Sequence, residues 1–230
     1  MGNPRNYSLA LPERCLLLLD SLWLHAQNVF DNGRPDLGPL TSTFLISMSM
    51  PIINLPIERV ERRRNASDSY ANDRPLNPDV ASAVDQVLGK GKLGDAPFFE
   101  AGAWSFTSYS KSPLPNIADG IPEEIGKKLD SIAAVVDAKE MPAAQWVSIL
   151  RNALAHGGVA YLDAEGRSSY DRPVKMYAFV SGRYDKEKRE FPRLVAVNFL
   201  RISETGYHNF LRLWVRWLFD TGIARASEAA

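Results

Sequence analysis

The chain has 230 residues, 45% of them hydrophobic, which is enough apolar material for a substantial core. Lys plus Arg and Asp plus Glu both count 27, so the formal net charge is zero, and a nucleic-acid ligand must be held by a local basic patch and not by an overall field. Cys15 is the only cysteine, which excludes an internal disulfide and fits a reducing, cytoplasmic setting.

Residues 1–11 read as a loose lead-in. Pro12 is expected to open a helix running to about Phe30, with Leu16, Leu19, Trp23, Ala26 and Phe30 on one side. The run Asp31-Asn32-Gly33-Arg34-Pro35 breaks it. Thr41 or Ser42 caps a second helix, which Pro51 and Pro56 must kink or divide. Met48 and Met50 read as core filler. The run from Glu58 to Arg64 ends in Arg62, Arg63 and Arg64 and has two readings. It is either an RNA-binding patch or a solvated helix end with internal Glu–Arg pairs. Residues 65–76 are polar and read as a loop. Asn77 and Pro78 start a short helix through Val80, Val84 and Leu88.

Gly89-Lys90-Gly91-Lys92-Leu93-Gly94 matches G-x-G-x-x-G on paper. A dinucleotide site needs a strand before it and a helix after it, whereas here a helix precedes and Asp95-Ala96-Pro97 follows. The stretch reads as a helix stop and loop. Phe98 to Ser110 is aromatic and β-prone, and Pro113, Pro115 and Gly120 form a connector. Pro122-Glu123-Glu124 opens a helix of about 122–138 with the stripe Ile125, Leu129, Ile132, Val136. A short turn leads to Pro142 and a strongly amphipathic helix, whose stripe is Trp146, Ile149, Leu150, Ala153 and Leu154. Gly157 or Gly158 closes it in the left-handed conformation. Val174–Tyr184 and Leu194–Ile202 alternate apolar with polar and predict a β-hairpin over about 174–202. Ser203 caps a last helix with Phe210, Leu213, Trp214, Trp217 and Leu218 on its apolar face.

Chemistry concentrates where the amphipathic helix ends, at Arg151-Asn152-Ala153-Leu154-Ala155-His156-Gly157. Asn152 and His156 are an i, i+4 pair on one helix face, and Arg151 is long enough to bend toward them. Arginine grips a phosphate with a planar fork of donors. Histidine titrates near neutrality and moves protons, and asparagine can orient an imidazole or a substrate oxygen. The same residue types also serve a simpler end, solvating a helix terminus and bonding its free carbonyls.

The segment Arg151-Asn152-x-x-x-His156-Gly157 resembles the signature of the HEPN superfamily, an Arg and a His four to six residues apart with a polar residue after the Arg. The resemblance extends to the helices expected before and after it, and more loosely to the first two. It implies a mainly α fold, an antiparallel helical bundle with the β-hairpin as an insertion. It also implies one domain over 1–230 with a loop-rich insertion at about 58–121. The activity implied is a metal-independent endoribonuclease, with Arg151, Asn152 and His156 catalytic; on the first reading of the basic run, Arg62, Arg63 and Arg64 would add RNA contacts. Expected partners are RNA, a second copy of the chain, and a protein antitoxin or other partner in a toxin–antitoxin or defence pair. The alternative within the same resemblance is a catalytically silent bundle that binds a protein or a nucleotide.

Other chemistries lack their residues. The three histidines and one cysteine have no zinc-ligand spacing, and neither H-E-x-x-H nor G-x-S-x-G occurs, so no metal and no cofactor is expected. His25 and His208 have no partner at catalytic spacing and read as structural. The apolar runs at 15–24 and 44–57 are too interrupted for a membrane span, and no signal peptide is expected.

Overall fold

A computed structural model of the chain describes residues 6–29, 39–60, 71–168, 172–185 and 192–223. The basic run Arg62, Arg63 and Arg64 therefore lies outside the described residues. In chain order the helices are α1 (Tyr7–Gln27), α2 (Thr41–Ser49), α3 (Leu55–Val60), α4 (Pro78–Lys90), α5 (Glu123–Leu129), α6 (Ile132–Glu140), α7 (Ala143–His156) and α8 (Glu204–Ile223). The strands are β1 (Trp104–Tyr109), β2 (Val159–Leu162), β3 (Met176–Tyr184) and β4 (Leu194–Ser203). Helix dominates, accompanied by one antiparallel sheet in the order β1-β4-β3-β2. Among the described residues no helix is long and apolar enough to cross a membrane.

The residues fall into two compact units, and the first takes in Met1–Gly91, Asp95–Phe99 and His208–Ala230. Helix α1 starts at Tyr7, ahead of the expected Pro12, because its first turn has an outside partner. The Ser8 amide and hydroxyl both donate to the Asp73 carboxylate, at 3.1 and 2.6 Å, and use up one of the amides that a helix start leaves without a partner. Arg59 pairs with the other Asp73 oxygen at 2.8 Å. The expected proline kink appears as a π-helical turn at Met50–Asn54, between α2 and α3. Pro56 has no N–H for the Ile52 carbonyl four residues earlier, and the Trp214 indole donates to that oxygen at 3.0 Å. Trp214 in turn meets Phe98 edge-on, with ring centroids 5.0 Å apart.

The second unit, Lys92–Gly94 with Glu100–Tyr207, holds the sheet and α7. The hairpin is present as β3 and β4, and it is the central pair of the sheet, flanked by β1 and β2. It is therefore part of a core with two faces and not an appendage on helices. Ala178, Val180, Val197 and Phe199 meet Ile125 and Leu129 of α5 on one face. Strand alternation puts Trp104, Phe179 and Leu200 on the other face, where Trp104 meets Trp146 of α7 edge-on at 5.5 Å.

The single helix expected over about 122–138 is two helices. Ser131 accepts the Ala134 amide at 3.2 Å, so it acts as an N-cap in the middle of the run. The turn changes the buried face. Ile125 and Leu129 are buried, Ile132 and Val136 are exposed, and Ala134 and Ala138 take over. Strand β1 lies within the stretch 58–121 and pairs with β4 along its length.

Burial pushes the Asp73 carboxyl up, but hydrogen bonds from Arg59 and Ser8 outweigh it and hold the pKa below the ordinary 3.8. A depressed folded pKa stabilises the fold above the ordinary aspartate value, and that stability is lost as pH falls through the lower folded value. Asp73→Asn should destabilise the protein by about 2–3 kcal/mol near neutral pH, because charge-assisted bonds are lost. Urea unfolding at a series of pH values checks this. The gap between wild type and variant should close as the pH drops below the folded pKa of Asp73.

Candidate functional site

Helix α7 packs on β3 and β4, and its sequence explains which side it shows them. Trp146, Ile149, Leu150, Ala153 and Leu154, the expected stripe, are all buried, along with Ala143 and Val147. Arg151 and Asn152 are half-buried on the shoulder of the stripe, and His156 is exposed in the last turn.

Two glycines fix where this helix ends. Gly157 has φ 71°, the left-handed cap, and its amide bonds the Ala153 carbonyl. The Gly158 amide also donates to the Ala153 carbonyl, at 2.8 Å, while its own carbonyl accepts from the Val180 amide at 2.7 Å. A Cβ on Gly158 would run into the Val180 carbonyl oxygen and the Ala153 backbone. The chain therefore leaves α7 directly into β2, which pairs with β3 from Val159↔Phe179 to Leu162↔Met176. β2 is absent from the elements expected from sequence. Its four residues are too short for a clear alternation.

Arg151 and Asn152 come together as expected, with Arg151 Nη2 donating to Asn152 Oδ1 at 3.2 Å. The Asn152 amide nitrogen then reaches Ser181 Oγ of β3 at 3.5 Å, the outer limit of a hydrogen bond. Asn152 is thus turned to the sheet and to Arg151, and it does not orient the imidazole. His156 stands one turn further on, with no hydrogen bond or ion pair to other described residues.

Ser181 belongs to a polar row that the helix motif does not disclose. It lies opposite Asn198, which lies opposite Ser108. Ser181 and Asn198 are buried, and Asn198 Oδ1 has no hydrogen-bond partner among the described residues. The row shares its face with Phe179 and Leu200, two residues along each strand. The signal was a polar residue at an apolar position of an otherwise alternating strand, and it becomes legible only once register is known.

Other polar clusters are structural. In the first unit His208 is buried, with Nε2 2.8 Å from Asp20 Oδ1, and its ring is 4.3 Å from that of Trp23. Arg212 meets the same carboxylate at 2.8 Å. Burial raises the Asp20 pKa, but bonds from Arg212 and His208 outweigh it and hold the carboxyl below its ordinary value. Asp163 accepts the amides of Glu165 and Arg167, at 3.0 and 2.9 Å, and builds a turn. Among the described residues no three His, Cys, Asp or Glu side chains are grouped to hold a metal ion.

Comparison with family models, with curated proteins and with solved structures gives no match to this chain.

The geometry separates residues that hold the turn from residues that only line it. Gly158→Ala should cost about 1–3 kcal/mol, the usual range for forcing an extra carbon into a packed site. His156→Ala should stay within about 0.5 kcal/mol of wild type, as an exposed side chain without bonded partners. Paired urea titrations decide. Equal losses in the two variants would mean that His156 also holds the turn.

Proposed function

We propose that the chain is a HEPN-type endoribonuclease that cleaves RNA through its own 2′-hydroxyl. The observation that supports this most is the end of α7. Arg151 is hydrogen-bonded to Asn152 on a half-open shoulder, and an exposed His156 stands one turn on, where a glycine cap stops the helix. In the proposed step the neutral His156 imidazole takes the 2′-OH proton as the 2′-oxygen bonds to phosphorus. The bond from phosphorus to the 5′-oxygen breaks, and an acid protonates the leaving oxygen. Arg151 donates to the non-bridging oxygens as negative charge builds on them. The products are a 2′,3′-cyclic phosphate and a 5′-hydroxyl. Asn152 acts on Arg151, as its positioning residue.

One helix carries one histidine, so the acid comes from a second copy. The proposal therefore includes a homodimer with two Arg–His sets in one groove. Arg62, Arg63 and Arg64 add RNA affinity, and a protein antitoxin or similar partner restrains the activity. A second reading is a catalytically silent module that binds a protein or nucleotide. It is favoured by the attachment of Asn152 to Ser181, which leaves the imidazole without an orienting neighbour on its own helix.

Wild type, His156→Ala and Arg151→Ala would be compared on mixed-sequence RNA with chelator present, and the fragment ends identified by mass. Cleavage should persist in chelator and leave cyclic phosphate ends. It should spare a substrate with deoxyribose at the cleaved position, and it should fall about 10²–10⁴-fold in His156→Ala. Undiminished cleavage by His156→Ala, or 3′-hydroxyl ends, would refute the mechanism. Absence of cleavage by wild type would favour the silent module. Light scattering at micromolar concentration should report a dimer; a monomer would end the composite site.

A further inference from the structure

Residue Arg183 belongs to neither the helix motif nor the polar row, and it lies on the same face as both. Ser181 is directed at α7, because it accepts the Asn152 amide. Arg183 is two residues along β3, so its side chain leaves the same face of the sheet, about 7 Å further on. It is exposed, and the residue opposite it on β4 is Ala196, so no acid faces it across the strand pair. Among the described residues it makes no ion pair. Arg151, Asn152, Ser181 and Arg183 thus form a line from α7 onto the sheet, with the buried Asn198 beside Ser181.

This line has the composition of a nucleic-acid backbone site. An arginine stands at each end, the residue type that grips phosphate oxygens, and between them an amide and a hydroxyl bonded to each other brace the line. Asn198 Oδ1, buried without a hydrogen-bond partner among the described residues, marks a polar floor in the centre of a sheet, where a β-branched or aromatic residue would pack better. Because the chain is neutral overall, affinity for a polyanion has to come from such local cations.

We propose that Arg183 binds a phosphate of single-stranded RNA next to the one held by Arg151, so that the strand crosses from α7 onto β3. This rests on the ribonuclease reading for the identity of the ligand, yet it is tested without cleavage. A fluorescent 2′-O-methyl oligoribonucleotide keeps the RNA backbone and lacks the attacking hydroxyl. Its affinity for the full chain is measured by anisotropy across a range of salt concentrations. Arg183→Ala should weaken binding and lower the slope of log K against log salt by about 0.7, the value for one phosphate contact on a single strand. Arg183→Lys should restore most of the slope, and Arg216→Ala, an exposed arginine of α8, should leave it unchanged.

If the slope falls in Arg183→Ala but wild type cleaves no RNA, the phosphate contact stands and the silent binding module is favoured over the ribonuclease. If wild type cleaves RNA and the Arg183→Ala slope equals that of wild type, the contact is overturned and the ribonuclease reading stands. Failure of wild type to bind the oligonucleotide at low salt overturns the contact as well, as does an equal loss of slope in Arg216→Ala.

Discussion

The joint at Gly157 and Gly158 sets everything around the Arg151–His156 segment. Two successive amides, of Gly157 and Gly158, satisfy the Ala153 carbonyl, and the Gly158 carbonyl is already in the sheet, bonded to the Val180 amide. No residue with a Cβ fits at Gly158 without moving the backbone of β3 or α7. A helix end is ordinarily the part that frays, because its last carbonyls have no intrahelical donors. Here the Ala153 carbonyl is bonded twice over, and the chain runs straight into a strand. The segment is thus held to the sheet by the backbone, independently of what its own side chains do.

The other end of α7 is held by packing. Trp146 sits fully buried against Trp104 of β1, and Trp104 in turn meets Phe179 of β3 and Tyr207 in the first turn of α8, at 6.3 and 6.4 Å. Aromatic contacts of this kind, two edge-on and one tilted, add to the large apolar area already removed from water. With a packed tryptophan near its start and a bonded glycine pair at its end, α7 has little freedom to roll on the sheet. A roll would also part Asn152 from Ser181. Side chains on the shoulder of such a helix are pre-positioned, as a site on rigid elements requires.

The sequence was most legible where the information is local. The stripe of α7 and its glycine stop, the hairpin pattern and the capped last helix all rest on spacings within one element, and each element lies where those spacings put it. Less was legible where the deciding contact is distant in sequence. Ser8 with Asp73 moves the start of α1 forward, and Trp214 answers the carbonyl that Pro56 leaves open. The break at Ser131 was legible in principle, since serine is a strong N-cap, but the apolar repeat running through it outweighed the cap. The hairpin pattern gives no strand order, so nothing local said that β1 would pair with β4 and make the hairpin the middle of a sheet. The site followed the same division. Arg151, Asn152 and His156 were legible as a motif. Ser181, Asn198 and Arg183 needed the register of two strands.

That register changes the balance of roles within the motif. On spacing alone, Asn152 and His156 share a helix face, which suggests an amide that steadies an imidazole. With the sheet in place, the Asn152 oxygen goes to Arg151 and its nitrogen to Ser181. An asparagine side chain bonded at both ends acts as a strut, and the group it braces is the guanidinium. Arg151 is therefore the better-ordered member of the pair, and His156 the one whose ring is left to its ligand. On the ribonuclease reading this splits the work unequally. The phosphate would be located first, by an arginine already in place. The imidazole would be oriented only when a ribose hydroxyl, or a second copy of the chain, supplies the bond that its own helix does not.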